Sequence, residues 1–399
     1  MQIISSKKKN KVLKSMIKIL DSNRAKIIEA NKKDLDLYDP TDRAMYDRLI
    51  VDDYKIDTMI KAVKEVKDQE DPVDKIISEI ELENGLKIQN KTAPFGTIMI
   101  IYESRPDVTI EAAVLAFKAN SKILLKGGKE AINSNLVLVE CWHEALEKHD
   151  LPTDLITFLN MNRIQTQEFL IAPTEKLDLI VPRGGEKLIA FVKEHAKCAV
   201  LISGRGNNFM YIHDDAEWEK TIEVMLNAKT QKISACNALD KILINKNIDQ
   251  YSSKIQNLRQ IFMTNKVELA MHSSLADVVP SGNSFEKEEV WEEEFLSMKA
   301  MIGAVESIDE AIEMINMYSG GHSSIIMTEK TKAAKKFMEQ VDSAAVYHNA
   351  STRFTDGGQM GVGAELAIST DKLHHRGPLG LEQLVTNKYY VFGDGHVRD

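Results

Sequence analysis

Cys236 is the residue whose neighbours best suit it to act as a nucleophile. It sits in Lys229–Leu239, K-T-Q-K-I-S-A-C-N-A-L, between a helical pattern over Lys220–Lys229 and a following strand. Small residues around it leave little bulk in the way of a substrate, and the position reads as a domain junction. Peptide N–H groups in such a turn can lower a thiol pKa and hold an oxyanion, so Cys236 and Asn237 form the expected catalytic pair. The same residues also fit a small buried hydrophobe. Cys141, in V-E-C-W-H-E-A-L, falls on an amphipathic helix, and Cys198 opens a strand; both read as structural. Two glycine turns are suited to phosphate. Asp178–Lys187, D-L-I-V-P-R-G-G-E-K, reads as strand, turn and helix start, with Pro182, Arg183, Gly184 and Gly185 at the turn. Free N–H groups and the helix dipole favour an anion there, and Arg183 adds charge; a plain tight turn has the same pattern. Lys126-Gly127-Gly128-Lys129 ends another strand with two cations and suits a diphosphate or a 2′-phosphate. His374-His375 has no Cys or carboxylate at ligand spacing, so no metal site is expected.

The elements that must position these residues follow from hydrophobic period. Residues 1–70 read as helices, with Val12, Met16, Leu20, Ile27 and Ile28 at helical spacing. Glu79–Gln89 alternates instead, and Asn84-Gly85 marks a hairpin whose apolar face needs a partner, such as another subunit. From Pro94 the pattern becomes strand–helix–strand: Thr97–Tyr102, Thr109–Asn120, Ser121–Lys126, Lys176–Val181, Glu186–His195 and Ala199–Ile202. That alternation implies a mostly parallel sheet with ligands at the carboxyl ends of its strands, although no G-x-G-x-x-G follows the first strand. A second α/β unit is expected to begin near Thr230, with strands at Lys241–Asn245, near Val267, and at Met301–Val305, Ser323–Met327 and Ala344–His348. Residues 349–380 are dense in Gly, Ser, Thr, Asp and His, as a site loop would be. The tail Lys388–Phe392 reads as a strand whose simplest partner is the 79–89 hairpin.

Bulk properties narrow the function classes. A chain of 399 residues needs more than one core. Its net charge of -9 without a basic stripe argues against nucleic acid, and Lys7–Lys11 reads as a solvated helix face. No apolar run approaches the roughly 18 residues of a membrane span, and no secretory signal opens the chain. Three cysteines do not make a disulfide framework, which points to reduced thiols in the cytoplasm.

Several segments together resemble the γ-glutamyl phosphate reductase family, a branch of the aldehyde dehydrogenase superfamily. They are P-F-G-T-I-M-I-I-Y-E-S-R-P (94–106), L-K-G-G-K-E-A (125–131), D-L-I-V-P-R-G-G (178–185) and N-A-K-T-Q-K-I-S-A-C-N-A-L (227–239). V-D-S-A-A-V-Y-H-N-A-S-T-R-F-T-D-G-G (341–358), G-V-G-A-E (361–365) and H-R-G-P-L-G-L-E (375–382) complete the set. The resemblance implies an aldehyde-dehydrogenase-like α/β fold: two Rossmann-like parallel-sheet domains plus a small β-flap. The NADP-binding domain would be 1–78 and 93–228, the catalytic domain 229–383, and the oligomerisation flap 79–92 with 384–399. It places Cys236 at the nucleophile position, and Glu294-Phe295 where the superfamily sets a Glu–Phe pair against the nicotinamide ribose. Two positions depart from the family pattern. Asp107 stands where many relatives have Asn, and a carboxylate cannot donate a hydrogen bond, so its side chain receives no oxyanion role. Ile202-Ser203 replaces the Glu-Thr common in relatives.

The reaction implied is reduction of glutamyl 5-phosphate by NADPH to glutamate 5-semialdehyde, with release of phosphate, in proline biosynthesis. The substrate's α-carboxylate needs a cation, with Arg353 the first candidate and Arg105 the second. Its ammonium needs an acceptor, where Asp356 and Glu103 are available, and Asn349 is counted with them. A homodimer or homotetramer is expected, with glutamate 5-kinase as a further partner. No kinase-like segment precedes residue 1, as in the separate monofunctional enzyme. An aldehyde dehydrogenase for another small acyl phosphate is the rival within the class. A catalytically dead binding protein is the rival outside it.

Overall fold

The computed structural model describes residues 2–39, 41–279 and 284–398. The chain divides into two compact units: Met1–Ile202, Gly361–Ala367 and Pro378–Asp399 form one, and Ser203–Met360 with Ile368–Gly377 the other.

The first unit opens with helices α1 (Ser6–Ser22), α2 (Arg24–Asp36), α3 (Arg43–Leu49) and α4 (Asp53–Asp68). Each long helix buries one stripe, as its spacing requires: Val12, Leu13, Met16, Ile19 and Leu20 on α1; Ile56, Met59, Val63 and Val66 on α4. Asp52 caps α4 by accepting from the Lys55 N–H at 2.8 Å. After the hairpin strands β1 (Ile76–Glu81) and β2 (Lys87–Pro94) the chain enters a five-stranded parallel sheet. Its strands are β3 (Thr97–Tyr102), β4 (Lys122–Lys126), β5 (Ile156–Phe158), β6 (Leu179–Arg183) and β7 (Ala199–Val200), in the order β5-β4-β3-β6-β7. Helices α5 (Asp107–Lys118), α6 (Ile132–Glu147), α7 (Arg163–Ile171) and α8 (Glu186–His195) connect them. Ile98, Ile100 and Tyr102 of β3 join the core shared with α1, α4, α5 and α6, while Met99 and Ile101 join the opposite core with Phe169 and Val192. Burial on both faces explains the unbroken apolar run. The sheet order reverses between β3 and β6, and that switch point is where such sheets take ligands.

In the hairpin, Ile80 faces Ile88 and Glu81 faces Lys87, and Gly85 takes φ +86° to close the turn. The C-terminal strand, Val385–Phe392, pairs antiparallel with β2 from Pro94 to Lys87, the partner expected of the tail.

The second unit opens at Ser203 rather than near Thr230. Its first strand, β8 (Asn208–Ile212), is central and wholly buried, and α9 (Trp218–Thr230) follows it. Six parallel strands run in the order β10-β11-β9-β8-β12-β13. The others are β9 (Leu239–Asn245), β10 (Glu268–Met271), β11 (Lys299–Val305), β12 (Ser323–Met327) and β13 (Ala345–His348). Helices α10 (Tyr251–Thr264), α11 (Ile308–Tyr318) and α12 (Thr331–Gln340) cover the sheet. Among the described residues no helix is long and apolar enough to cross a membrane.

Candidate active site

Cys236 lies in the turn that carries the chain from α9 into the amino end of β9, and its side chain is partly exposed. The turn is clamped against the segment before β8. The buried Asn208 amide donates to the carbonyls of Cys236 at 2.8 Å, Ala238 at 2.6 Å and Gly206 at 2.9 Å. A Cβ on Gly206 would lie 2.1 Å from the Cys236 carbonyl oxygen, so only glycine permits this approach. The other two thiols sit differently. Burial, with help from Glu144, pushes Cys141 up to about 12, and burial raises Cys198 as well.

The Asn237 side chain faces inward and is 5% exposed. Its amide donates to the Thr355 carbonyl at 2.9 Å and, at 3.4 Å, to that of Arg353, while the Asn237 backbone carbonyl accepts from Thr352 Oγ1 at 2.6 Å. Asn237 therefore ties the cysteine turn to 352–355 through its side chain. Arg353 is thereby held beside the thiol. Its Nε donates to Gln231 Oε1 at 2.8 Å, and its Nη1 is buried without a hydrogen-bond partner. Burial lowers the guanidinium pKa, and the nearby charges of Cys236 and Asp356 oppose that shift. The exposed Asp356 closes a local turn, accepting from Gly358 N at 3.0 Å and Gln359 N at 3.2 Å. Asn349, at φ +52°, bonds the Thr328 backbone both ways, at 2.9 Å and 3.0 Å, and so joins the ends of β12 and β13. The structure gives these two side chains structural work that the sequence reading did not foresee.

The Glu294-Phe295 segment rests on groups no motif announced. Phe295 N donates to Asp240 Oδ2 at 2.8 Å, and Asp240 Oδ1 accepts from the buried Lys229 Nζ at 2.8 Å. Lys241 Nζ lies 3.6 Å from the Phe295 ring centroid and donates to the Glu293 carbonyl at 2.5 Å. Burial draws Lys241 down to about 7. Elsewhere in this unit His213, Asp214 and Asp215 bring three ligand-type atoms within 4.8 Å. Lys330 pairs with Asp214 at 2.7 Å, and Thr328 donates to Asp215 at 2.6 Å, so protein donors serve that cluster.

In the first unit the turn after β6 opens at the switch point, where Tyr102 of β3 stands opposite Arg183 of β6, and the Lys126–Lys129 turn follows β4 on the other side of β3. Cβ atoms on Gly127 and Gly184 would meet Asn135 at 2.3 Å and Leu188 at 2.8 Å, whereas one on Gly185 would meet nothing within 4 Å. One on Gly128 would lie 1.9 Å from the Glu130 carboxylate. Pro182 is buried in β6 and Gly185 caps α8, which leaves open backbone at a helix N-terminus for a diphosphate. The residues present thus fit a nicotinamide dinucleotide. Lys126 turns back to its own Gly127 carbonyl at 2.6 Å, and burial lowers its pKa. Lys129 instead lines a cavity of about 470 Å³ with Tyr38, Glu103, Ser104 and Glu130. Ser104 holds φ +45° there, its N–H and hydroxyl both donating to Glu130 Oε1 at 2.7 Å and 2.9 Å. Burial and Glu130 push the Glu103 carboxyl up.

Arg105 pairs with Asp107 at 3.3 Å, and Lys55 of α4 reaches the same carboxylate oxygen at 2.7 Å. Burial alone would raise Asp107, but the two cations outweigh it and bring it to about 2. Lys55 and Glu111 went unmarked in the sequence because their meaning lies in this contact between helices.

A glycine turn at the switch point of one α/β unit, and a second α/β unit presenting a braced cysteine, define a nicotinamide-dependent dehydrogenase class. The chain belongs to the aldehyde dehydrogenase family, an oxidoreductase family that uses nicotinamide cofactors, whose sequence profile matches residues 1–272 and 282–365. It is 41% identical to gamma-glutamyl phosphate reductase of Thermotoga maritima, over 99% of this chain and 95% of that one. The Nautilia profundicola reductase of the same name is 40% identical over 98% and 95%. The crystal structure of the Thermotoga maritima protein superposes with a TM-score of 0.92 over 99% of this chain and 95% of that one. Methanocaldococcus jannaschii glyceraldehyde-3-phosphate dehydrogenase GapN, solved with NADP, shares the fold at 15% identity and a TM-score of 0.69, over 98% and 90%.

Proposed function

We propose that this chain reduces L-glutamyl 5-phosphate to L-glutamate 5-semialdehyde with NADPH, releasing phosphate, as the second step of proline biosynthesis from glutamate in the cytoplasm. The observation that carries the reading is the braced Cys236 turn with the buried, unpartnered Nη1 of Arg353 beside it. The similarity to the named reductases supports the choice of acyl group. The Cys236 thiolate attacks the acyl carbon, the C–O bond to phosphate breaks, and a thioester remains on the sulfur. NADPH, when bound, supplies the hydride that the thioester carbon requires. The thiohemiacetal then takes up a proton and collapses, so the aldehyde leaves and the thiol is restored. Arg353 offers an unsatisfied donor to an anionic end of the substrate, and peptide N–H groups of the turn stabilise the tetrahedral oxyanions, each typically worth about 3 kcal/mol. Gly184, Gly185 and Arg183 receive the cofactor diphosphate.

The test runs the reaction backward. Glutamate 5-semialdehyde should reduce NADP only when phosphate or arsenate is present, because Ile202-Ser203-Gly204 carries no base where hydrolytic relatives have Glu. Cys236→Ala should abolish that turnover and leave folding intact. Steady NADP reduction in phosphate-free buffer, or by a pure Cys236→Ala sample, would sink the proposal.

A further inference from the structure

Thr355 is where the cysteine turn meets a buried chain of hydroxyls, all of it within the second unit. Its carbonyl accepts from Asn237 Nδ2 at 2.9 Å. Its Oγ1 points the other way and lies 2.7 Å from Ser323 Oγ and 2.7 Å from the Tyr347 hydroxyl. Ser323 Oγ is in turn 2.8 Å from His322 Nδ1. The sheet explains the meeting. Ile325 of β12 stands opposite Tyr347 of β13, and Ser323 is two residues before Ile325, so Ser323 and Tyr347 are diagonal neighbours on one face. His322, Ser323 and Thr355 are all buried, and no solvent replaces a partner that is lost.

The backbone at Thr355 needs such support. With φ -73° and ψ 76°, and with Asp356 N donating to the Phe354 carbonyl at 2.8 Å, Thr355 is the central residue of an inverse γ-turn. One residue therefore sets the direction of the carbonyl that holds Asn237. Its hydroxyl, fixed from two strands, removes the rotation that would swing that carbonyl away. Arg353 lies in the same turn, and Thr352 Oγ1 donates to the Asn237 carbonyl at 2.6 Å.

We propose that Ser323 and Tyr347 are positioning residues for the nucleophile: through the Thr355 hydroxyl they fix the 352–355 turn, and with it Asn237 and Arg353, against the Cys236 turn. His322 closes the chain behind Ser323. This rests on Cys236 as the nucleophile of the reaction proposed above. Neither residue touches substrate. What they set is the place of the sulfur and of the cation that favours its thiolate.

Tyr347→Phe, Ser323→Ala and Thr355→Val each delete one hydroxyl, and Thr355→Ser keeps it. Two alkylating agents of nearly equal size, neutral iodoacetamide and anionic iodoacetate, read the sulfur without substrate or cofactor. Peptide mass spectrometry separates labelling at Cys236 from that at Cys141 and Cys198. In the three deletion variants the Cys236 rate should fall by about 3–10-fold, as a displaced cation and a shifted turn require. Iodoacetate should lose more than iodoacetamide, because Arg353 no longer stands beside the sulfur. Thr355→Ser should keep the wild-type rates and their ratio. In turnover, kcat should fall with the labelling rate while the NADP KM stays unchanged. Natively folded variants whose Cys236 labels at the wild-type rates would overturn the proposal and leave the chain a purely stabilising network. Should the buried substitutions prevent folding, Tyr347→Phe, on the half-buried edge strand β13, decides alone. If labelling responds as expected and the wild type oxidises no glutamate 5-semialdehyde, the positioning stands and the reaction falls. If phosphate-dependent oxidation proceeds and labelling ignores the variants, the reaction stands and the positioning falls.

Discussion

Gly206 sets how closely the segment before β8 can approach the nucleophile turn, because a methyl group there would lie 2.1 Å from the Cys236 carbonyl oxygen. Gly206→Ala must push the turn outward, and displacing a reacting atom by about 1 Å typically costs about 100-fold in rate. Turnover should drop by that order while circular dichroism stays native. Gly185→Ala meets no protein atom within 4 Å, so it should fold normally and raise the NADP KM only. Matching losses from both variants would show that neither site works as described. His322 gives a second prediction at this scale. It is fully buried, with Nδ1 2.8 Å from Ser323 Oγ and Nε2 without a partner, and burial pushes its pKa down to about 4. A histidine held below its unfolded value near 6.5 contributes stability above that pH and loses it as the pH falls through 4. The contribution is about 3 kcal/mol at neutral pH. Urea midpoints of the wild type and His322→Gln should therefore converge between pH 6.5 and 4. A constant gap across that range would refute the assignment.

At the scale of elements, β4 delivers Lys126–Lys129 to the carboxyl end of the sheet beside β3, but of the two lysines only Lys129 lines the neighbouring cavity. Lys129→Glu should raise the NADP KM about tenfold or more and leave the NAD KM nearly unchanged, as loss of a phosphate-pairing cation requires. Equal effects on the two cofactors would remove Lys129 from 2′-phosphate recognition. Elements were legible where one physical demand dominated the residues. Thr97–Tyr102 is buried on both faces and reads as an unbroken apolar run. The hairpin shows in its alternation and in Asn84-Gly85, since Gly85 does adopt a left-handed φ. The β8 strand was missed because it follows G-R-G-N-N, a run with turn composition. Asn207 and Asn208 are in fact fully buried, and their amides bond backbone carbonyls from other segments. The same limit applied to the site. Cys236 and the glycine turns are local signals, whereas the Asn237 brace, the Lys229–Asp240 pair and the Lys55–Asp107–Glu111 cluster join residues that only the fold brings together.

Across the whole molecule, the three-stranded sheet of β1, β2 and the C-terminal strand bears a concentration of uncovered apolar side chains. Ile76, Ile77 and Ile80 are each 56% exposed, and Tyr389, Val391 and Phe392 are 62%, 56% and 52% exposed. β1 and the C-terminal strand are also the two edges of that sheet, so unpaired backbone groups accompany the apolar surface. Proteins seldom leave such an edge open, because it templates pairing with any other chain. A three-stranded ribbon is also only marginally stable without something packed on its face. A second copy of the chain would bury both liabilities at once, and a homodimer or homotetramer is the expected state. Ile80→Lys and Val391→Lys place charges on that surface without touching either core. They should shift the mass seen by light scattering toward the monomer, and deleting the chain from Thr386 should give monomer or aggregate. A wild-type protein that scatters as a clean monomer at micromolar concentration, with the hairpin protected from proteolysis, would show that the sheet is stable alone and that the expected assembly is wrong.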